Sequence, residues 1–271
     1  MKKSVTGWDR KVFIKKEELN DYTWHRGFFM LNWKNDIWFQ DFAELRNRDI
    51  SLFTIGDIRG KSVLDIGCGQ GMYMLTFLKL GASKAAGIDI KKEDVDYTNS
   101  IIRKNGFTPE ARVADCTELP YADNSFDIVF SGDVFEHITY EQKDKCMAEI
   151  YRVLKPGGIV TIKTPNLKYQ KLANLLRRLK AVVKLKNPFN IHIAHTRNNP
   201  DCEHIGLTTY RELKQIFLKN TFHEPTITYV RLRRKGLPKI IAKVFVKNHF
   251  LNEVIIMTSR KPIFLGLYDA L

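Results

Sequence analysis

The chain has 271 residues, 44% of them hydrophobic, and a formal net charge of +14 at pH 7. This length suffices for one large domain with a buried core, and no apolar run approaches the roughly 20 residues of a membrane span. The four cysteines, Cys68, Cys116, Cys146 and Cys202, form no CxxC pair, which excludes a zinc ribbon or disulfide framework and, with no signal peptide visible, predicts a cytoplasmic protein.

The N-terminal 50 residues differ from the rest of the chain. They are helical in pattern and crowded with aromatic residues, among them Trp24, Trp33 and Trp38. We expect residues 1–50 to form a helical lid, whose aromatic side chains pack mainly within the lid itself.

Short apolar runs then alternate with helix-like stretches. The runs predict strands at residues 62–66, 85–90, 111–114, 126–131 and 159–163, with two later strands at 226–231 and 254–258. The stretches between them predict helices at 72–80, 92–105 and 141–154, and a further helix at 209–220. Alternating strands and helices indicate parallel pairing, so the fold class is an open α/β sheet over residues 51–262, with an insertion at 166–205 and a tail at 263–271.

A glycine-rich turn follows the first predicted strand, in the stretch VLDIGCGQGMY at residues 63–73. A dinucleotide site has the pattern GxGxxG, but here the third glycine, Gly71, comes one residue early and Met72 stands in its place. Asp65 precedes the turn and would repel a pyrophosphate, whereas it can hold a ligand that carries an amino group. The turn therefore favours a nucleotide other than a dinucleotide.

The pattern DxGxGxG resembles the first motif of class I S-adenosylmethionine (SAM) methyltransferases. Four further stretches match that family in order: GID at 87–89, AD at 114–115, LPYADNSFD at 119–127 and RVLKPGG at 152–158. The resemblance implies that Asp89 accepts hydrogen bonds from the ribose, Ile90 packs on the adenine and Asp115 binds the adenine amino group. The cofactor-binding residues that it implies are Asp65, Gly67, Cys68, Gly69, Gly71, Asp89, Ile90, Asp115, Cys116 and Ser131.

The resemblance also implies the architecture. It predicts a Rossmann-like, seven-stranded, mostly parallel sheet with helices on both faces, an N-terminal helical lid and an inserted cap helix.

The segment after the fourth strand faces the methyl group in this family, and it reads SGDVFEHI at 131–138. It lacks the Pro-Pro motif of nucleobase amine methyltransferases, and no cysteine follows a proline, as a cytosine-C5 enzyme requires. Glu136-His137 resembles the Glu-His pair of small-molecule O-methyltransferases, including the ubiquinone-biosynthesis group. We expect Asp133, Glu136 and His137 to be the catalytic residues. His137 is either a base, a residue near a Mg²⁺ ion, or a residue that only bonds to backbone.

A second polar cluster lies in the predicted insertion. The spacing of its residues would allow them to bind a metal, but the favoured interpretation is a polar loop that lines the acceptor pocket. The cluster comprises His192, His195, Asp201, Cys202, Glu203 and His204.

The positive charge is concentrated in two late segments. Residues 166–200 hold eight basic residues and no acidic one, and residues 231–261 hold nine basic residues against Glu253. Within the first segment, Leu172, Leu175, Leu176, Leu179 and Val183 share one helical face. We expect a cap helix that covers the active site, or alternatively a peripheral contact between residues 168–186 and an anionic membrane. Nucleic acid is a weaker alternative, because basic residues alone do not specify it.

These observations predict a SAM-dependent methyltransferase that acts on a small molecule, with a hydroxyl oxygen as the expected acceptor. Two alternatives stay open: an RNA methyltransferase that uses the basic segments, and a non-catalytic SAM-binding protein. Mg²⁺ is a possible second cofactor.

Overall fold

The computed structural model describes residues 55–185, 187, 204–230 and 254–263. The predicted lid at residues 1–50, most of the tail at 263–271 and five members of the second polar cluster lie outside the described residues. Only His204 of that cluster is described.

Seven strands form one sheet. They pair in the order β3-β2-β1-β4-β5-β7-β6, where β1 to β5 are parallel and β7 is antiparallel to both of its neighbours. The expectation of a Rossmann-like, mostly parallel sheet is therefore confirmed. The strands are β1 Ser62–Ile66, β2 Lys84–Asp89, β3 Ala111–Val113, β4 Phe126–Gly132, β5 Leu154–Pro165, β6 Thr226–Val230 and β7 Val254–Arg260.

Five helices connect the strands in the described part of the chain. The four helices predicted at 72–80, 92–105, 141–154 and 209–220 agree with the structure to within one residue at each end. Thr139 and Thr209 begin two of them with capping boxes, in which the side chains of Gln142 and Glu212 accept the backbone N–H of the cap residue. The helices are α1 Met72–Lys79, α2 Lys92–Lys104, α3 Tyr140–Val153, α4 Leu167–Val183 and α5 Tyr210–Lys219.

Helices cover both faces of the sheet because neighbouring side chains of a strand point in opposite directions. In β4, Val129 belongs to the buried cluster that contains Met147 of α3 and Phe217 of α5. The next residue, Phe130, points to the other face, where its ring lies 5.7 Å from that of Phe77 in α1. A strand buried on both faces requires a continuous apolar run, which is why the strands were visible in the sequence.

The strand order reverses between β1 and β4. In open α/β sheets, ligands bind outside the carboxyl ends of the strands at such a point. The turn that follows β1 and the segment that follows β4 lie there, so the fold brings the predicted cofactor turn next to the predicted catalytic segment.

The stretch KPGG at 155–158 is part of the fifth strand, although the sequence predicted a turn that precedes it. The structure begins β5 at Leu154, with a shift of register against β4 between Phe126 and Ile128. Gly157 has φ +76° and donates its backbone N–H to Lys261, and Lys261 donates back to Gly158. Pairing with β7 thus extends the strand through a stretch whose composition indicated a turn.

Helix α4 is present where an amphipathic helix was predicted, but its orientation differs from that of a cap that buries its leucines. Its buried residues are Leu167, Gln170, Ala173, Asn174 and Ala181. Most of the predicted stripe faces outward: Leu175, Leu176, Leu179 and Val183 expose between 47% and 83% of their surface, while Leu172 is half-buried. The neighbouring Val182, which was not in the predicted stripe, is 54% exposed. The expectation that the stripe covers the active site is wrong, because polar and small residues occupy the packed side.

Among the described helices, none has both the length and the apolar composition that crossing a bilayer demands.

Candidate active site

The turn after β1 is built from three glycines in the left-handed region. Gly67, Gly69 and Gly71 have φ values of +70°, +47° and +78°. A Cβ on Gly67 would lie 2.2 Å from Cγ2 of Val134, and one on Gly71 would lie 2.7 Å from Cγ2 of Thr98. Glycine is therefore required at both positions by backbone conformation and by space. The Val134 contact joins this turn directly to the segment after β4.

Asp89, at the end of β2, holds the turn in place. One carboxylate oxygen accepts the backbone N–H of Gly69 at 2.9 Å, and the other accepts that of Lys91 at 3.0 Å. The next residue, Ile90, exposes 69% of its surface, although an isoleucine after a strand is usually buried. Asp65, by contrast, is 1% exposed beneath the turn.

Asp115 follows β3 and caps the next turn. One of its oxygens accepts both the backbone N–H and the hydroxyl of Thr117, at 2.7 Å each, and these bonds lower the pKa of its carboxyl. Ser131, near the end of β4, is fully buried, and its hydroxyl oxygen has no hydrogen-bond partner among the described residues.

The cysteines of the predicted cofactor set point into the protein. Cys68 and Cys116 are buried free thiols, and Cys116 belongs to the main core cluster. Burial, followed by the charge on Asp65, raises the pKa of the Cys68 thiol. A contact between these two residues and a cofactor would therefore use their backbone atoms.

Asp133 is held by a lysine that the sequence analysis did not single out. The Asp133 carboxylate accepts a hydrogen bond from Lys163 of β5 at 2.6 Å, and the Lys163 ammonium lies 3.4 Å from the hydroxyl of Tyr73. Asp133 itself has φ +61°, a conformation that costs a non-glycine residue about 1–2 kcal/mol. Backbone pairing of β4 with β5 places Lys163 opposite Gly132, and no local sequence pattern signals that contact.

Glu136, His137 and His204 converge at the carboxyl edge of the sheet. One ligand atom of each lies within 4.8 Å of the other two. The two imidazole rings are 4.6 Å apart at an angle of 72°. Glu136 is buried and accepts a hydrogen bond from the hydroxyl of Thr164 at 3.0 Å. Burial, followed by the charge on Asp133, raises the pKa of the Glu136 carboxyl to about 8.

The segment that carries His204 is held against the segment that follows β4. Gly206 donates its backbone N–H to the carbonyl of Glu136 at 2.8 Å. A Cβ on Gly206 would lie 2.0 Å from the carbonyl oxygen of Ile138, so this close approach requires glycine. The buried Lys143 donates to the carbonyl of Gly206. The sequence pattern placed His204 in a polar loop and did not predict its contact with His137. Gly206, two residues later, is the one feature of the sequence that could have indicated such a close approach.

The donor atoms do not fit the Mg²⁺ site that the resemblance implied. Mg²⁺ prefers oxygen ligands in octahedral geometry. Asp133 already pairs with the ammonium of Lys163, and the groups that converge on Glu136 are the imidazoles of His137 and His204. The cluster offers two imidazole nitrogens and one carboxylate, which is not the set of oxygen ligands that Mg²⁺ prefers.

A family model described as "Methyltransferase domain" matches residues 64–162, from β1 to β5.

Two curated relatives match part of the chain. A sterol 4-C-methyltransferase of Caenorhabditis elegans is 37% identical over 35% of this chain and 28% of its own length. A norajmaline N-methyltransferase of Rauvolfia serpentina is 33% identical over 38% of this chain and 35% of its own length. The chain therefore matches only about a third of the length of these relatives.

Among solved structures, a SAM-dependent methyltransferase of Archaeoglobus fulgidus shares the fold. It superposes with a TM-score of 0.54 at 17% identity and covers 83% of this chain and 99% of its own.

Proposed function

We propose that the chain is a SAM-dependent methyltransferase that methylates a small-molecule acceptor at a hydroxyl oxygen, and the match of residues 64–162 to a model described as "Methyltransferase domain" supports this proposal. The observation that carries the proposal is the cluster of Glu136, His137 and His204 beside the glycine turn. The names of the relatives point to carbon and nitrogen acceptors, so the choice of oxygen rests on this cluster.

The cofactor would lie over the turn after β1. Asp89, already bonded to Gly69, would accept the ribose hydroxyls, and the exposed side chain of Ile90 would pack on the adenine. Asp115 would bind the adenine amino group. Asp65 and the Ser131 hydroxyl would face the amino-acid end of SAM, where the buried hydroxyl would gain a partner.

Methyl transfer is a direct displacement in which the acceptor oxygen bonds to the methyl carbon while the carbon–sulfur bond breaks. The products are a methyl ether and S-adenosylhomocysteine. Alignment of the acceptor supplies much of the rate, and the hydroxyl proton must leave because a protonated hydroxyl attacks poorly. In our proposal, a ring nitrogen of His137 takes that proton. His204 and Glu136 are positioning residues that hold the imidazole at the carboxyl edge.

The test uses the full chain, radiolabelled SAM and a panel of phenols, alcohols and matched amines. We expect a labelled methyl ether, identified by mass spectrometry. His137→Ala should lower turnover by about 10²- to 10⁴-fold, while calorimetry shows unchanged SAM affinity.

The matched control is His223→Ala, which removes an exposed histidine on the turn before β6 and should leave turnover unchanged. A labelled amine or carbon product would overturn the oxygen assignment. Equal losses in His137→Ala and His223→Ala would remove His137 as the base.

A further inference from the structure

Helix α4 presents its largest apolar side chains away from the protein. With 3.6 residues per turn, Leu172, Leu175, Leu176, Leu179, Val182 and Val183 fall within about 120° of the helix circumference. We call this set the apolar stripe. Five of its six members expose roughly half or more of their surface.

The opposite side of the helix packs against the protein through less apolar residues. Gln170 and Asn174 are buried there together with Ala173 and Ala181. A surface helix normally places its apolar stripe toward the core and its polar residues outward. The reversed arrangement of α4 indicates that the apolar stripe is covered by something other than the core.

Basic residues border the stripe on both sides. By the same helical periodicity, Lys171 and Arg178 lie along one border and Lys180 along the other, and all three are exposed. No acidic residue occurs anywhere from residue 166 to residue 200. An apolar face flanked by lysine and arginine is the composition of helices that lie in the plane of an anionic bilayer surface.

These charges also argue against a second copy of the chain as the partner. Two α4 helices packed stripe to stripe would bring their basic borders together, with no carboxylate in either helix to compensate. Opposed like charges disfavour an interface, whereas anionic lipid headgroups neutralise the same borders. The long lysine and arginine stems can extend past the apolar stripe to reach the headgroups.

From these observations we propose that α4 docks the protein on anionic membrane surfaces, with the apolar stripe in the acyl boundary and Lys171, Arg178 and Lys180 at the headgroups. The helix is 17 residues long and lies on the bilayer rather than across it. This inference does not depend on the proposed function, because binding is measured without turnover.

Sedimentation with vesicles tests the proposal. The full chain is mixed at low salt with vesicles of phosphatidylcholine alone or with about a third phosphatidylserine. We expect sedimentation only with the anionic vesicles, and release as salt rises, because salt screens the attraction. Lys171→Glu, Arg178→Glu and Lys180→Glu together should weaken binding by about a hundredfold or more.

Two further variants separate the contribution of the apolar stripe to membrane binding from the effect of net charge. Leu175→Gln with Leu179→Gln should abolish sedimentation and leave thermal stability unchanged, since both side chains are exposed. The charge-matched control is Lys61→Glu, Lys79→Glu and Lys104→Glu, three exposed residues outside α4. This control should sediment as the wild type does.

Three results would overturn the proposal. The first is failure of the wild type to sediment with anionic vesicles at low salt. The second is an equal loss in the charge-matched control, which would mean that net charge alone drives binding. The third is a wild-type dimer that Leu175→Gln with Leu179→Gln converts to a monomer, as measured by light scattering, which would assign the stripe to a second copy.

Discussion

At the scale of single residues, two carboxyl groups in the site have opposite environments. Asp89 accepts two backbone N–H groups at the exposed edge of the turn. Glu136 is buried near the charge of Asp133, which disfavours ionisation. One carboxylate is thus suited to accept hydrogen bonds from a ligand, and the other to retain a proton.

Replacement of Asp89 should weaken SAM binding. A hydrogen bond to a charged group contributes about 1.5–3 kcal/mol, so we expect Asp89→Ala to reduce SAM affinity by roughly tenfold to a hundredfold or more. Loss of the bond to Gly69 acts in the same direction, because it releases the turn. Calorimetry would measure the change, with Asp96→Ala on the exposed side of α2 as the control. Unchanged affinity in a folded Asp89→Ala variant would remove the ribose assignment.

Glu136 should make stability depend on pH. Its pKa is raised from an ordinary 4.5 to about 8, so between these values the folded protein keeps a proton that the unfolded chain has lost. The free energy of unfolding should therefore fall as pH rises through this window. Glu136→Gln cannot ionise and should flatten that fall, as measured by urea unfolding at pH 5 and pH 8. Glu141→Gln, an exposed change on α3, should behave as the wild type. A Glu136→Gln curve parallel to that of the wild type would contradict the assignment.

At the scale of elements, the β1–α1 turn depends on how closely α2 approaches it. The hydroxyl of Thr98, a buried residue of α2, donates to the carbonyl of Gly69 at 2.6 Å. The Thr98 side chain also fills the space in which a side chain at Gly71 would lie. The shape of the glycine turn therefore depends on a helix that begins only after the next strand of the chain, β2.

Substitution of two glycines can separate the cost of packing against Thr98 from the cost of backbone strain. Gly71 and Gly106 have nearly equal φ values, +78° and +81°, but a Cβ at Gly106 meets nothing within 4 Å. Gly106→Ala should cost only the strain of about 1–2 kcal/mol. Gly71→Ala should cost about 1–3 kcal/mol more, because it overpacks against Thr98, and it should also weaken SAM binding. Urea unfolding measures both costs, and equal losses in the two variants would show that Thr98 moves aside freely.

At the scale of the whole molecule, the antiparallel strand β7 is anchored by a buried lysine just beyond its end. Lys261 donates to the Asn124 side chain at 2.9 Å and to the carbonyls of Tyr151 and Leu154 at 2.9 and 2.8 Å. Burial lowers the pKa of its ammonium group. Lys261 was counted in the second basic segment, yet it ties the last described strand to the end of α3 rather than facing a partner.

Replacement of Lys261 should destabilise the fold. Lys261→Met keeps the stem but removes the donor from the buried carbonyl of Leu154 and from the partly buried carbonyl of Tyr151, and a buried group left without its partner costs about 1–3 kcal/mol. We expect a loss of about 3 kcal/mol or more in the free energy of unfolding, measured by urea titration. Arg260→Met, at the exposed neighbouring position, is the control and should change stability little. Similar values for the two variants would contradict the anchoring role.

Features that depend on neighbours in the chain could be predicted from the sequence. The glycine spacing after β1 reflects left-handed backbone angles that only glycine adopts readily. The continuous apolar runs reflect strands buried on both faces. These local requirements also fixed the helix positions, so the α/β sheet and the family resemblance followed from the sequence alone.

Features that depend on contacts between distant segments were decided by the tertiary structure. The sequence contained His204, Lys163 and Lys261, but only strand pairing and the close approach at Gly206 bring them to His137, Asp133 and Asn124. The periodicity of α4 showed that a stripe exists, but not which way it faces. A helical pattern defines a side of the helix, whereas the surrounding elements determine whether that side meets the core or the solvent, and here the packed side is the one with Gln170 and Asn174.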